Sequence, residues 1–264
     1  MFFAELRFYF DDGGRADAGG AALRAANDWL GSLLRNGQLV DWSGVARTGP
    51  GELLAPVVLP AADSLDPRHD GRYVREARER LDAAGVQLPS LTLLGEDAEG
   101  PSVCGCAPSS LPSLVLFTTY LDAAPPVRCG ACFGAVPLYR IPPTYNGDEY
   151  HDLLRWEADY QACDRLQMGC QTGERFGLRE MSRLDSSLIR RGRAVCRTIE
   201  EKTGVPTYYH LFRWTGRSLA AERRRTCPGC GGAWLMSERW HDRFDFRCDP
   251  CRLLSNVAHS LAGR

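Results

Sequence analysis

Eleven cysteines in a 264-residue chain, eight of them falling into two groups of four, constrain this sequence more than any other feature. The C-terminal group is Cys227-Pro-Gly-Cys230, seventeen residues, then Cys248-Asp-Pro-Cys251. That is the double C-x2-C pattern, in which each pair forms a tight knuckle and two knuckles close a tetrahedral thiolate site. Gly231 and Gly232, directly after the first pair, supply the permissive backbone such a turn needs. Between the pairs, Phe244 and Phe246 alternate with Arg243, Asp245 and Arg247, as in a half-buried strand. This segment reads as a zinc ribbon.

The central group is Cys104-x-Cys106, twenty-two residues, then Cys129-x2-Cys132. The intervening run 113–121 reads as strand followed by turn, which would bring the pairs together as a zinc-bound hairpin. A redox-active pair or simple core thiols are the alternatives. In a reducing compartment such thiols are metal ligands before they are disulfides. With four protein ligands each, neither site has the open position of a catalytic zinc, so both Zn²⁺ ions are expected to be structural. Cys163 and Cys196 fall on apolar helical stripes and read as small core residues, whereas Cys170 sits in a turn.

The rest of the chain is expected to be α+β. Residues 2–10 and 88–94 read as strands, 18–35 and 70–84 as helices, and weaker extended runs lie near 43–48 and 55–59. The order strand-helix-strand-strand-helix-strand suits a ferredoxin-like α/β unit. Helices are expected at 148–167 and 184–202, the second closed by Gly204, with a strand at 205–214. The expected division is an N-terminal α/β domain at 1–98 and a central four-cysteine zinc-binding β segment at 99–145. A helical α/β segment at 146–220 and the C-terminal zinc ribbon at 221–264 follow.

The formal charge of −1 is an average over opposed parts. Residues 1–174 carry a net −10 and residues 175–264 a net +9. Four thiolates around one Zn²⁺ leave a formal −2 at the ribbon, so a basic field persists in the C-terminal third. Arg223, Arg224 and Arg225 precede the ribbon, and Arg239, Arg243, Arg247 and Arg252 lie within it beside Trp234, Trp240 and Phe244. Arginines among aromatics suit RNA or DNA, with charge tracking phosphates and rings stacking on bases. A solvated charge run beside a small aromatic core is the competing reading.

No phosphate loop, dinucleotide fingerprint, nucleophile elbow or H-E-x-x-H pattern occurs. A nucleophile built from Cys170 with His151 or His210 has no spacing rule behind it, so a non-enzymatic protein is expected, with no catalytic residue and no small-molecule substrate. No run of 18 apolar residues and no basic, cleavable leader is present, so a cytoplasmic location without a membrane partner is the expectation. The alternative function is a protein-protein interaction or regulatory module scaffolded by two structural zinc sites.

Three stretches carry a family resemblance: RCGACFGAVPLYRIP (128–142), the span from LLRWEADYQACDRLQMGC (153–170) to TIEEKTGVPTYYHLFRW (198–214), and CPGCGGAW with FDFRCDPCRLLSNVA (227–258). They resemble a bacterial domain-of-unknown-function family described as Zn-ribbon-containing and a candidate for nucleic-acid binding. The similarity covers residues 100–258 well and the first hundred loosely. It implies metal-ligand roles for Cys129, Cys132, Cys227, Cys230, Cys248 and Cys251, and more loosely for Cys104 and Cys106. It implies no catalytic residue.

Overall fold

The computed structural model describes residues 1–11, 17–107 and 111–261. They form two compact units: residues 1–103 with 123–125 and 135–151, and residues 104–122 and 126–134 with 152–264.

The first unit is built from β1 (Phe2–Tyr9), α1 (Ala18–Arg35), β2 (Asp41–Trp42), β3 (Ala46–Gly49), β4 (Glu52–Leu59), α2 (Arg72–Ala83) and β5 (Ser90–Glu96). Alternation decides which faces are buried: Ala4, Leu6 and Phe8 of β1 and Leu53, Ala55, Val57 and Leu59 of β4 point into one core. The sheet order is β2-β4-β1-β5, with β3 also on β4 and every neighbour antiparallel. That is the strand order of a ferredoxin-like unit. Helix α1 has the bounds its periodicity predicts and buries Ala22, Ala26, Trp29, Leu30 and Leu33. Helix α2 buries Val74, Ala77 and Leu81, while Tyr73 stays on the exposed side under the Arg72 guanidinium.

The second unit holds β6 (Leu114–Leu116), β7 (Val127–Cys129), α3 (His151–Met168), α4 (Glu174–Ser182), α5 (Ser187–Thr203), β8 (Thr207–Leu211), α6 (Leu219–Arg223), β9 (Leu235–Trp240), β10 (Phe244–Cys248) and β11 (Leu253–Ser255). Its sheet runs β7-β6-β8-β11-β10-β9. Strand β8 pairs in parallel with β6 and with β11, and all five of its residues are buried, as a central parallel strand requires. The hairpin of the central cysteine group and the C-terminal ribbon therefore belong to one sheet. Helix α5 starts at Ser186, whose Oγ accepts from Ile189 N–H at 3.2 Å, and stops at Gly204 with φ of 71°. Its Gly192 lets it approach Trp156 and Tyr209, whose rings a Cβ would strike. No helix among the described residues is long and apolar enough to cross a membrane.

Candidate functional site

Each cysteine group converges on one point. The four sulfurs of Cys104, Cys106, Cys129 and Cys132 lie within 4.8 Å of one another, as do those of Cys227, Cys230, Cys248 and Cys251. Tetrahedral thiolate coordination at a Zn–S bond of ~2.3 Å sets sulfurs ~3.8 Å apart; Cys230 Sγ and Cys248 Sγ are 3.6 Å apart. Both clusters could hold a metal ion.

The knuckles share one backbone design. In the ribbon, Cys227 N–H donates to Gly232 O at 2.9 Å and Gly231 N–H to Cys227 O at 2.8 Å. In the central group, Cys129 N–H donates to Gly134 O at 2.9 Å and Phe133 N–H to Cys129 O at 2.8 Å. The residue after the second cysteine is left-handed in both, Gly231 at φ 73° and Phe133 at φ 58°, and Arg252 at φ 52° repeats this after Cys251. The turns aim N–H groups at sulfur: Gly229 at Cys227, Ala131 at Cys129 and Gly134 at Cys132, each at 3.4 Å. Such donors favour the thiolate, the form that binds metal. Gly232 N–H and the neighbouring sulfurs draw the Cys230 thiol down to about 7. Burial pushes the Cys104 and Cys248 thiols up, so a metal must displace protons there. A Cβ on Gly229 would stand 2.8 Å from Cys251 Sγ, so the closing of the two ribbon knuckles needs glycine.

The clusters are tied together at the hairpin between β9 and β10. His241 and Asp242 both have φ of 53°, the signature of a tight primed turn. His241 Nε2 donates to Gly130 O of the central knuckle at 2.9 Å. The Phe133 ring packs 5.3 Å from Phe117, 5.7 Å from Phe244 and 5.0 Å from His241.

The seven arginines singled out above separate into two groups. Arg225 lies 4.4 Å over Phe246 and 5.0 Å over Trp234, pairs with buried Glu222 at 3.4 Å and donates to Asn256 O at 3.0 Å. Burial pushes its guanidinium down to about 10. Arg247 binds Asp249 at 2.6 Å and the Tyr208 hydroxyl at 2.7 Å. Arg252 grips Glu200 at 2.8 Å, so Glu200 is a fixed partner of the ribbon rather than a loose helix-surface charge. These three serve the unit's own packing. Arg223 and Arg224 are exposed at the end of α6. Arg243 is exposed and stands over the Phe117 and Phe133 rings at 5.6 and 5.4 Å; Arg239 is exposed and paired with Asp245 at 3.2 Å.

Arg223, Arg239 and Arg243 line two cavities of this unit. The larger, about 660 Å³, is walled by Arg223, Leu219, Leu235 and Met236 among others. The smaller, about 220 Å³, is walled by Phe117, Phe212, Phe244, Asp164, His210 and Arg243 among others. Arg239, Asn256 and His259 belong to both walls, so the two cavities adjoin, and together they are called the groove below. Sequence reasoning did not select Phe117, Asp164, Phe212 or Asn256, and weighed His210 only as a partner for Cys170. Cys170 is an exposed turn residue at φ 51° whose thiol donates to Gln167 O at 3.5 Å. Cys163 and Cys196 are buried core residues, as their stripes predict.

Fold and clusters together define an α+β protein with two sheets and two tetracysteine sites. Three family models match in succession: a domain of unknown function (DUF8589) at residues 1–95, another (DUF2310) at 109–212 and a third (DUF8594) at 216–261. An uncharacterized protein of Haemophilus influenzae (strain ATCC 51907 / DSM 11121 / KW20 / Rd) is 36% identical over 206 residues, 76% of this chain and 76% of its own. A second uncharacterized protein of that strain is 38% identical over 178 residues, 66% of this chain and 84% of its own. The chain belongs to the family of these Haemophilus proteins, a bacterial family built on domains of unknown function. A solved Deinococcus radiodurans structure of the antibiotic biosynthesis monooxygenase class matches 40% of this chain and all of its own length. At 13% identity and a TM-score of 0.26 it carries no weight for function.

Proposed function

We propose that this is a non-enzymatic protein that binds single-stranded nucleic acid along the groove lined by Arg223, Arg239 and Arg243, with Zn²⁺ held structurally in both tetracysteine clusters. The carrying observation is that Arg223, Arg239 and Arg243 line two adjoining cavities of the basic unit, with the half-buried Phe212 ring in the wall of the smaller one. Guanidinium groups meet phosphates and aromatic rings stack on bases, a pairing that suits unpaired strands. All-thiolate donor sets with N–H···S support suit zinc, and four protein ligands leave no open position for catalysis. The test is equilibrium binding of the zinc-loaded protein to a fluorescently labelled single strand. Arg243→Ala and Arg223→Ala should each weaken it, and unchanged binding in both would refute the assignment of the groove.

A second reading, a protein-interaction module, is favoured by β5. It is an edge strand whose Leu91, Leu93 and Leu94 are 38, 46 and 59% exposed. An apolar edge of this kind is a template for pairing with another strand. Replacing Leu93 with lysine should then dissolve a complex that survives nuclease treatment.

A further inference from the structure

The hairpin of β9 and β10 touches both cysteine clusters. Its base is closed by the ribbon cluster: Cys230 shortly precedes β9, β10 ends on Cys248, and the two sulfurs lie 3.6 Å apart. At its tip His241 and Asp242 turn the chain, and His241 Nε2 donates to Gly130 O at 2.9 Å. Gly130 lies inside the central knuckle, between the ligands Cys129 and Cys132. A metal in the ribbon therefore fixes the base of an arm whose tip rests on the other cluster.

The receiving knuckle is held against that tip. Gly130 is buried, and its N–H donates to Ser113 O at 2.8 Å. A Cβ there would stand 2.9 Å from that same carbonyl oxygen, so this close seating needs glycine. Loss of His241 would strip the buried Gly130 carbonyl of its donor, which costs more than an ordinary hydrogen bond contributes. Phe133, directly after Cys132, packs its ring 5.0 Å from His241 and 5.7 Å from Phe244 of β10. The sheet gives a second connection: Cys129 pairs with Leu114, Leu114 with Thr207 of β8, and β8 with β11, which begins just after Cys251.

Thiolate clusters of this kind order their knuckles as they bind metal, so part of the binding energy is spent on ordering. Once one metal has fixed the hairpin, the second site has less left to order and binds its metal more tightly. Linkage makes the effect reciprocal. We propose that the two clusters take up zinc cooperatively, with His241 the positioning residue that couples them. The proposal rests on both clusters holding Zn²⁺, and its test separates the two claims.

The experiment is a zinc titration of the full-length protein against a chromophoric chelator, with bound ions counted by native mass spectrometry. Cys132→Ser, which disables the central cluster, should lower the zinc affinity of the ribbon about tenfold, and Cys230→Ser should do the same to the central cluster. His241→Ala keeps all eight cysteines and should weaken the ribbon site by a similar factor. Added to Cys132→Ser, it should weaken the ribbon no further, because the contact it removes is already lost. Effects of His241→Ala that are equal in the two backgrounds would mean a purely local role in the hairpin and would overturn the proposal. Two ions per chain with a ribbon affinity untouched by Cys132→Ser would overturn the coupling and leave both zinc sites standing. A wild-type protein that takes up one ion or none would overturn both.

Discussion

Phe133 stands where the ribbon knuckle has Gly231, and that substitution of one residue type for another at a left-handed position gives a quantitative prediction. At φ 58° an L side chain is strained, with a cost on the order of 1–3 kcal/mol. The ring offsets that cost through Phe117, Phe244 and His241, and through the Arg243 guanidinium 5.4 Å above it. Truncation of a fully buried Phe to Ala costs about 3–5 kcal/mol. Phe133 is half-buried, so Phe133→Ala should cost about 2 kcal/mol, plus about 0.5–1 kcal/mol for the cation–π contact. Phe133→Gly loses the same contacts but releases the backbone, and should therefore be more stable than Phe133→Ala by about 1 kcal/mol. This reverses the order found in helices, where Ala exceeds Gly. The assay is urea unfolding followed by tryptophan fluorescence at a buffered free zinc concentration, with zinc content confirmed unchanged in both variants. An Ala variant as stable as the Gly variant, or more so, would refute the claim that ring packing holds a strained knuckle.

Elemental analysis should find two zinc ions per chain, and Cys132→Ser or Cys230→Ser should each remove one; a single ion in the wild-type protein would demote the central cluster. Arg225→Met should destabilise the second unit by about 1–3 kcal/mol, because buried Glu222 loses a charged partner, whereas Arg223→Ala should leave thermal stability unchanged and weaken only strand binding. Glu180 accepts from Ser187 Oγ at 2.8 Å and Leu188 N–H at 3.1 Å; partial burial pushes its carboxyl up, but these donors outweigh that and hold it below the usual range. A depressed carboxyl stabilises above its unfolded value, about 4.3, and loses that contribution as pH falls through the folded value. Glu180→Gln should accordingly flatten the fall in stability below pH 5, by up to ~1 kcal/mol for a helix-start cap, as read from urea midpoints against pH.

The parts legible in the sequence are those that local spacing encodes. Helix α1 follows from Ala22, Ala26, Trp29, Leu30 and Leu33 on one stripe, and both tetracysteine clusters follow from C-x-C and C-x2-C spacing. Helix α4 escapes notice because only Gly177 and Met181 of its nine residues are buried while Phe176 is 59% exposed, so its pattern misstates its inner face. The sheet that joins the central hairpin to the ribbon depends on parallel pairing of β8 with residues far away in sequence, which no local pattern records. The groove is hidden for the same reason. Phe117, Asp164, His210, Arg243 and Asn256 come from five separate stretches, and only the packed sheet brings them together. Arginine clustering is visible along the chain, but Arg225, Arg247 and Arg252 differ from Arg223 and Arg243 through the carboxylates that reach them, which no local pattern records.

The salt dependence of single-strand binding tests the central claim most directly. Arg223 and Arg243, each neutralising a phosphate while Arg239 is held by Asp245, should give a slope of log affinity against log salt of about −1.4, at roughly 0.7 per phosphate for single strands. Arg243→Ala should reduce that slope by about 0.7. Absence of binding at 50 mM salt (roughly the low end at which such contacts are strong), or an affinity indifferent to salt, would contradict the account.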